Sequence, residues 1–209
     1  MKLVARVVAN ITRAVSRARF AILTIAGAYA ISIFVGIIMV HSGNTFALNY
    51  RDKLVGRAIK QDPAAVAKVH NDNLKAAILD FAGNLIIGSV PKVLMGMSVV
   101  MPYPFVAYQG WVGGIVSVRG DRSSRFDNFR SSVYYLLTLF LQILGYSLTI
   151  GAGVNVGISL FKPISDYRGK KLFSFFPKEA LLDLIRIYAL SIPIFLIGSL
   201  WEFLSSWNI

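Results

Sequence analysis

The sequence predicts an all-α fold: a polytopic transmembrane helical bundle of about five spans, preceded by an amphipathic interfacial helix. Three observations carry this expectation. Five apolar stretches, at about 20–40, 74–90, 93–118, 133–161 and 180–204, each approach or exceed the roughly 20 residues that a spanning helix needs. Hydrophobic residues make up 56% of the chain of 209. Mean hydropathy is +0.61. Long runs that are apolar on every side have no place in a soluble domain of this size. The division is therefore an interfacial segment, 1–19, and one transmembrane domain, 20–209, with a polar loop at 42–73.

The first segment is amphipathic. Val4, Val7, Val8, Ile11 and Val15 recur at helical spacing, while Lys2, Arg6, Arg13 and Arg17 fall on another face. Such a helix lies on a membrane with its basic side toward anionic headgroups. Read more plainly, the same residues are a positive flank that sets orientation. The first span follows without a small-x-small cleavage signal behind it, so a retained anchor is expected rather than a signal peptide. Gly27 and Gly36 are its close-contact candidates.

The polar loop carries Asp62-Pro63, a helix-start signal, because Asp accepts from free amides and Pro at the first position loses nothing. The next 45 residues, 74–118, are interrupted by Pro91-Lys92 and by Met101-Pro102-Tyr103-Pro104. Proline removes an amide donor and breaks the helical ladder. Two spans with a tight turn near 88–92 are expected. The competing reading is one span at 74–100 followed by a re-entrant piece near 108–118. The last span begins at Pro177-Lys178 and is long, with Asp183 and Arg186 spaced to pair and Pro193 placed to kink it. Trp201 and Trp207 fit an interfacial aromatic belt.

Net charge is +12, from 22 basic and 10 acidic residues. No basic run is interleaved with aromatics on a polar domain, so the excess points to anionic lipid rather than nucleic acid. Basic residues flank both sides almost equally, and the strongly basic N-terminal flank favours a cytoplasmic N-terminus in a prokaryotic inner (cytoplasmic) membrane. A four-span arrangement would instead put the basic 119–130 loop on the N-terminal side. There is no cysteine, which removes disulfides, thiol catalysis and cysteine-ligated metals. His41 and His70 have no carboxylate at ligand spacing, so no metal site is expected. No GxSxG, HExxH or Walker-type loop is present, and no enzyme and no cofactor are expected.

Ionisable groups at membrane depth are costly and mark function by default. Asp80 and Glu202 are the acidic examples, and Lys92 sits at the proline break. Asn84, Gln109, Gln142 and Asn155 add amides that either cross-link helices or line a polar path. Gly145, Gly151, Gly153 and Gly157 punctuate the fourth stretch, and Gly110 and Gly114 the third. Both sets contain the GxxxG spacing, which lets helix backbones approach within one chain or between chains.

These features resemble the stage II sporulation protein M family of multi-span membrane proteins. The resemblance runs from about 74 to 204. It rests on Asn84 with Gly88, on Tyr108-Gln109-Gly110 with Gly114, on the glycines from Gly145 to Gly157, and on Trp201-Glu202-Phe203. The chain departs from the family around Leu141, Gln142 and Gly145, where the family's His-Gly pair and following Glu are missing. The resemblance implies a non-enzymatic membrane component working with partner proteins, often in envelope remodelling, with some relatives looking like permease parts. Two functions are therefore expected to compete. One is a scaffold or accessory subunit packing on other membrane proteins, or on a second copy, through glycine faces. The other is a transporter, channel or permease component with a polar path.

Overall fold

A computed structural model describes residues 2–161, 167, 171–172 and 176–207. Among them the fold is all-α apart from one two-residue strand pair. Helix α1 runs Lys2–His41, and the polar segment follows as α2, Thr45–Gln61, and α3, Pro63–Val69. Helix α4, Asn73–Ala82, continues through a π-helical turn, Gly83–Ser89, into α5, Val90–Gly96. Then come α6, Pro102–Ile115, and α7, Phe129–Phe161. Strands β1, Lys171–Leu172, and β2, Phe176–Pro177, pair antiparallel before α8, Lys178–Leu204.

Local chemistry sets most of these boundaries. Gly43, at φ +76, turns the chain after α1, in a region that Gly enters without a Cβ clash. Asn44 caps α2 by accepting from the Ala47 amide at 3.0 Å. Asp62 caps α3 through the Ala64 amide at 2.8 Å, with Pro63 at the first helical position. Asp72 caps α4 through the Lys75 amide at 3.1 Å.

Four helical segments are long and apolar enough to cross a membrane: Ala5–His41, Asn73–Gly96, Phe129–Phe161 and Lys178–Leu204. The expected arrangement needs correcting at two places. There is no break between 19 and 20, because α1 is one helix of 40 residues, about 60 Å long. There is also no turn near 88–92. The helix continues past Pro91, which sits in the first turn of α5, where a missing donor costs little. The preceding π-helical turn shifts the hydrogen-bond register and is served by side chains. Ser89 Oγ donates to the Asn84 carbonyl at 2.7 Å, and the Tyr188 hydroxyl donates to the Leu85 carbonyl. The break comes instead at 97–101, where Val99 adopts φ +67, a strained value for a β-branched residue. The predicted third span is thereby reduced to α6. Its 14 residues reach about 21 Å, short of the roughly 30 Å hydrocarbon core.

Helix α7 is the hub. Residues 145–157 are buried on every side, enclosed by α1, α5 and α8. Its start meets the end of α8, where the Tyr134 hydroxyl donates to the Glu202 carbonyl at 2.7 Å. Its end lies beside the start of α8 and the first half of α1. The outer surface is apolar, with Phe20, Phe34, Ile87, Phe140 and Ile197 all exposed. Exposed apolar surface on this scale suits a lipid environment. We call the end of the bundle where α1 starts the near face, and the end holding His41, α2 and α3 the far face.

Candidate functional site

The polar side chains at depth come from four helical stripes. On α7, Thr138, Gln142 and Tyr146 are spaced by four and share one face. On α8, Ser199 and Glu202 are three apart. On α4 and its π-helical extension, Asp80 and Asn84 are four apart. On α6, Gln109 points toward Lys92 of α5. Helix packing turns these stripes inward toward each other.

The result is a continuous polar chain. Asp80 Oδ2 accepts from Ser199 Oγ at 2.6 Å and from Asn84 Nδ2 at 2.9 Å. Asn84 Oδ1 accepts from the Tyr146 hydroxyl at 2.6 Å. The Lys92 ammonium lies 4.3 Å above the Tyr146 ring and donates to Gln109 Oε1. Glu202 and Gln142 face the same cavity. Asp80, Asn84, Gln142, Ser199 and Glu202 line one cavity of about 10 Å³, room for one water. Two clefts of about 490 Å³ each adjoin it. One is lined by Asp62, Asp80 and Asn84 and has no basic residue in its wall. The other shares Thr138, Gln142 and Glu202 with the cavity and carries Lys68 and Arg125. The small cavity thus adjoins two clefts that are both walled by α3 and its cap on the far-face side, and it has two carboxyl groups in its lining. Two ionised carboxylates facing one cavity repel, and a bound cation or shared proton relieves them.

Other predicted residues lie elsewhere. Asn155 is buried but belongs to an ion network at the near face, donating to the Tyr167 hydroxyl at 2.6 Å. Burial pushes that hydroxyl up to about 12, so it stays a proton donor. It donates to Asp183 Oδ2 at 3.1 Å. Asp183, 1% exposed, is held by both arms of Arg17 at 2.6 and 2.7 Å and by Arg186 at 2.8 Å. Arg186 also bonds Glu179 at 2.5 Å. Arg17 was expected among the headgroup contacts. Its guanidinium bonds Asp183. Arg6 and Arg13 are exposed, and the Lys2 side chain lies outside the described residues.

The six glycines are all buried. Gly110 and Gly114 lie against Tyr29, Ile33 and Gly36 of α1. Gly145 lies against Phe195 of α8, Gly151 against Ile22 of α1, and Gly153 and Gly157 against Val93 and Met97. Each admits a neighbouring helix of the same chain. Sequence reasoning missed Ser199, Thr138, Tyr146 and Tyr167. Ser199 and Tyr146 could have been found by extending the helical stripes of Glu202 and Gln142. Tyr167 sits in a connection and gave no such signal.

The fold and this site define a class: an all-α protein with four helices fit to cross a membrane and a polar network enclosed between them. No family model matches the chain, and neither the curated proteins nor the solved structures contain a match to it.

Proposed function

We propose that the protein is a non-catalytic integral membrane component of the transport or permease kind, handling a proton or small cation at Asp80 and Glu202. The observation that carries this reading is the shared cavity. Four of the intramembrane polar residues singled out from the sequence, Asp80, Asn84, Gln142 and Glu202, converge on it. It also adjoins two clefts of about 490 Å³ each on the far-face side. A buried polar network of this kind is expensive in a bilayer and is maintained where ions or protons are handled. The scaffold reading asked for glycine faces turned outward, whereas all six glycines are spent on packing within the chain. The resemblance to the stage II sporulation protein M family supports a non-enzymatic role beside partner proteins.

In this reading the chain crosses the bilayer five times. The 97–101 segment and the short α6 return it from the near side to the far side. The start of α7 beside the end of α8 supports that path, since α7 then runs back down. The basic N-terminus lies on the cytoplasmic side of a prokaryotic inner membrane, its first turns against anionic headgroups through Arg6 and Arg13.

The test is flux. Protein reconstituted in liposomes around a pH-sensitive dye is expected to pass protons or small cations under an imposed potential. Glu202→Gln and Asp80→Asn are each expected to slow this about tenfold or more, the scale of losing one intramembrane charge. Unchanged flux in both variants would overturn the assignment. So would a silent wild type that comes from its native membrane with a fixed set of partner subunits, and that second result would restore the scaffold.

A further inference from the structure

The second cleft does not need to be part of the path, and its lining differs from that of the first. Helix α2 lays Leu54, Val55 and Ile59 along it while turning Lys53, Arg57 and Lys60 outward, the pattern of a helix lying in an interface. An aromatic cluster joins the first turns of α2 to α6. Tyr50 lies 5.1 Å and Phe46 6.1 Å from Trp111, and the Tyr50 and Tyr108 hydroxyls are 2.8 Å apart. The gap between this helix and the bundle is about 490 Å³, within the range of ligand pockets. A gap of that size with one apolar wall has room for an acyl chain.

Its polar wall carries half-buried Arg125. The Nε of Arg125 donates to the Val116 carbonyl at 2.9 Å, and its guanidinium lies 5.8 Å from the Tyr135 ring centre. Arg125 makes no ion pair among the described residues. Burial acts against its charge, so an anion placed there would compensate it. Lys68 of α3 lines the same wall. Glu202 lines the same cleft and its charge acts on Arg125, although burial remains the larger influence on the guanidinium.

We propose that this cleft is a built site for one anionic membrane lipid, with its phosphate on Arg125 and Lys68 and an acyl chain along Leu54, Val55 and Ile59. The apolar wall selects a lipid over a soluble anion, and two bases in the lining select an anionic headgroup over a zwitterionic one. The cleft adjoins the cavity of the transport reading through Thr138, Gln142 and Glu202, so lipid retention is measured separately from flux.

The experiment uses the full chain in nanodiscs of phosphatidylcholine with and without a minor share of phosphatidylglycerol, and reads retained lipid by native mass spectrometry. The wild type is expected to retain one phosphatidylglycerol in preference to phosphatidylcholine by about tenfold. Arg125→Gln with Lys68→Gln is expected to abolish that preference. Val55→Trp, which leaves both bases and fills the apolar wall, is expected to lose the lipid altogether. Should Arg125→Gln fail to fold, Lys68→Gln and Val55→Trp still decide. Equal retention of the two lipids by the wild type, unchanged retention in the variants, or displacement by inorganic phosphate would each overturn the proposal.

Discussion

Gly153 shows how much can rest on one missing side chain. A Cβ there would run into the backbone carbonyl of Val93. Backbone cannot swing aside as a flexible side chain does, so Gly153→Ala is expected to destabilise the protein by about 1–3 kcal/mol. Gly27 looks equivalent in the sequence, one more glycine on a spanning helix. Nothing lies within 4 Å of a Cβ built on it. Gly27→Ala is therefore expected to be neutral, or stabilising by up to about 1 kcal/mol from helix propensity. Thermal unfolding in detergent compares the two, and equal effects would refute this account of the α5–α7 contact.

At the scale of elements, α1, α7 and α8 are tied at the near face by the charges around Asp183. Removing one partner from a buried ion pair leaves an uncompensated charge, which costs about 3–5 kcal/mol. Arg186 remains on Asp183, so Arg17→Ala is expected near the lower end of that range. The double variant Arg17→Ala with Asp183→Ala is expected to lose less than the sum of the two single losses, because no charge is stranded. A double-mutant cycle by chemical unfolding measures this, and strict additivity would show that the pair does not couple. The π-helical turn is the other informative element. It keeps α4 and α5 in one column across Pro91, and it directs Asn84 toward both Asp80 and Tyr146.

For the whole molecule, the connection order has a topological consequence. Helix α1 ends beside the loop before α7, where His41 meets Ser124 at 3.0 Å. Helix α8 starts beside Arg17 and ends beside Tyr134. The two ends of the chain therefore sit at opposite faces of the bundle. Reporter fusions before Lys2 and after Trp207 are expected on opposite sides of the membrane, and a reporter inserted in α2 on the C-terminal side. Both termini on one side would mean that α6 does not carry the chain back across.

The sequence by itself determined the helical class, the long apolar segments, the cap at Asp62 and the helix start at Pro177-Lys178, because hydropathy and helix-start signals depend on near neighbours only. It also singled out the buried polar residues, since their cost in an apolar medium is a property of residue type. Its two-span reading misplaced the break in 74–118, which the competing reading of one span at 74–100 set close to its position, because a π-helical turn, its own Ser89 hydroxyl and the Tyr188 hydroxyl of α8 let the helix pass Pro91. Only the tertiary structure decided that Arg17 bonds Asp183, and that Asn155 belongs to a different network from Asn84. It alone turned the glycines inward. Each of these depends on which helices face each other, and partners separated by as many as 166 residues in the chain leave no periodic trace in either segment.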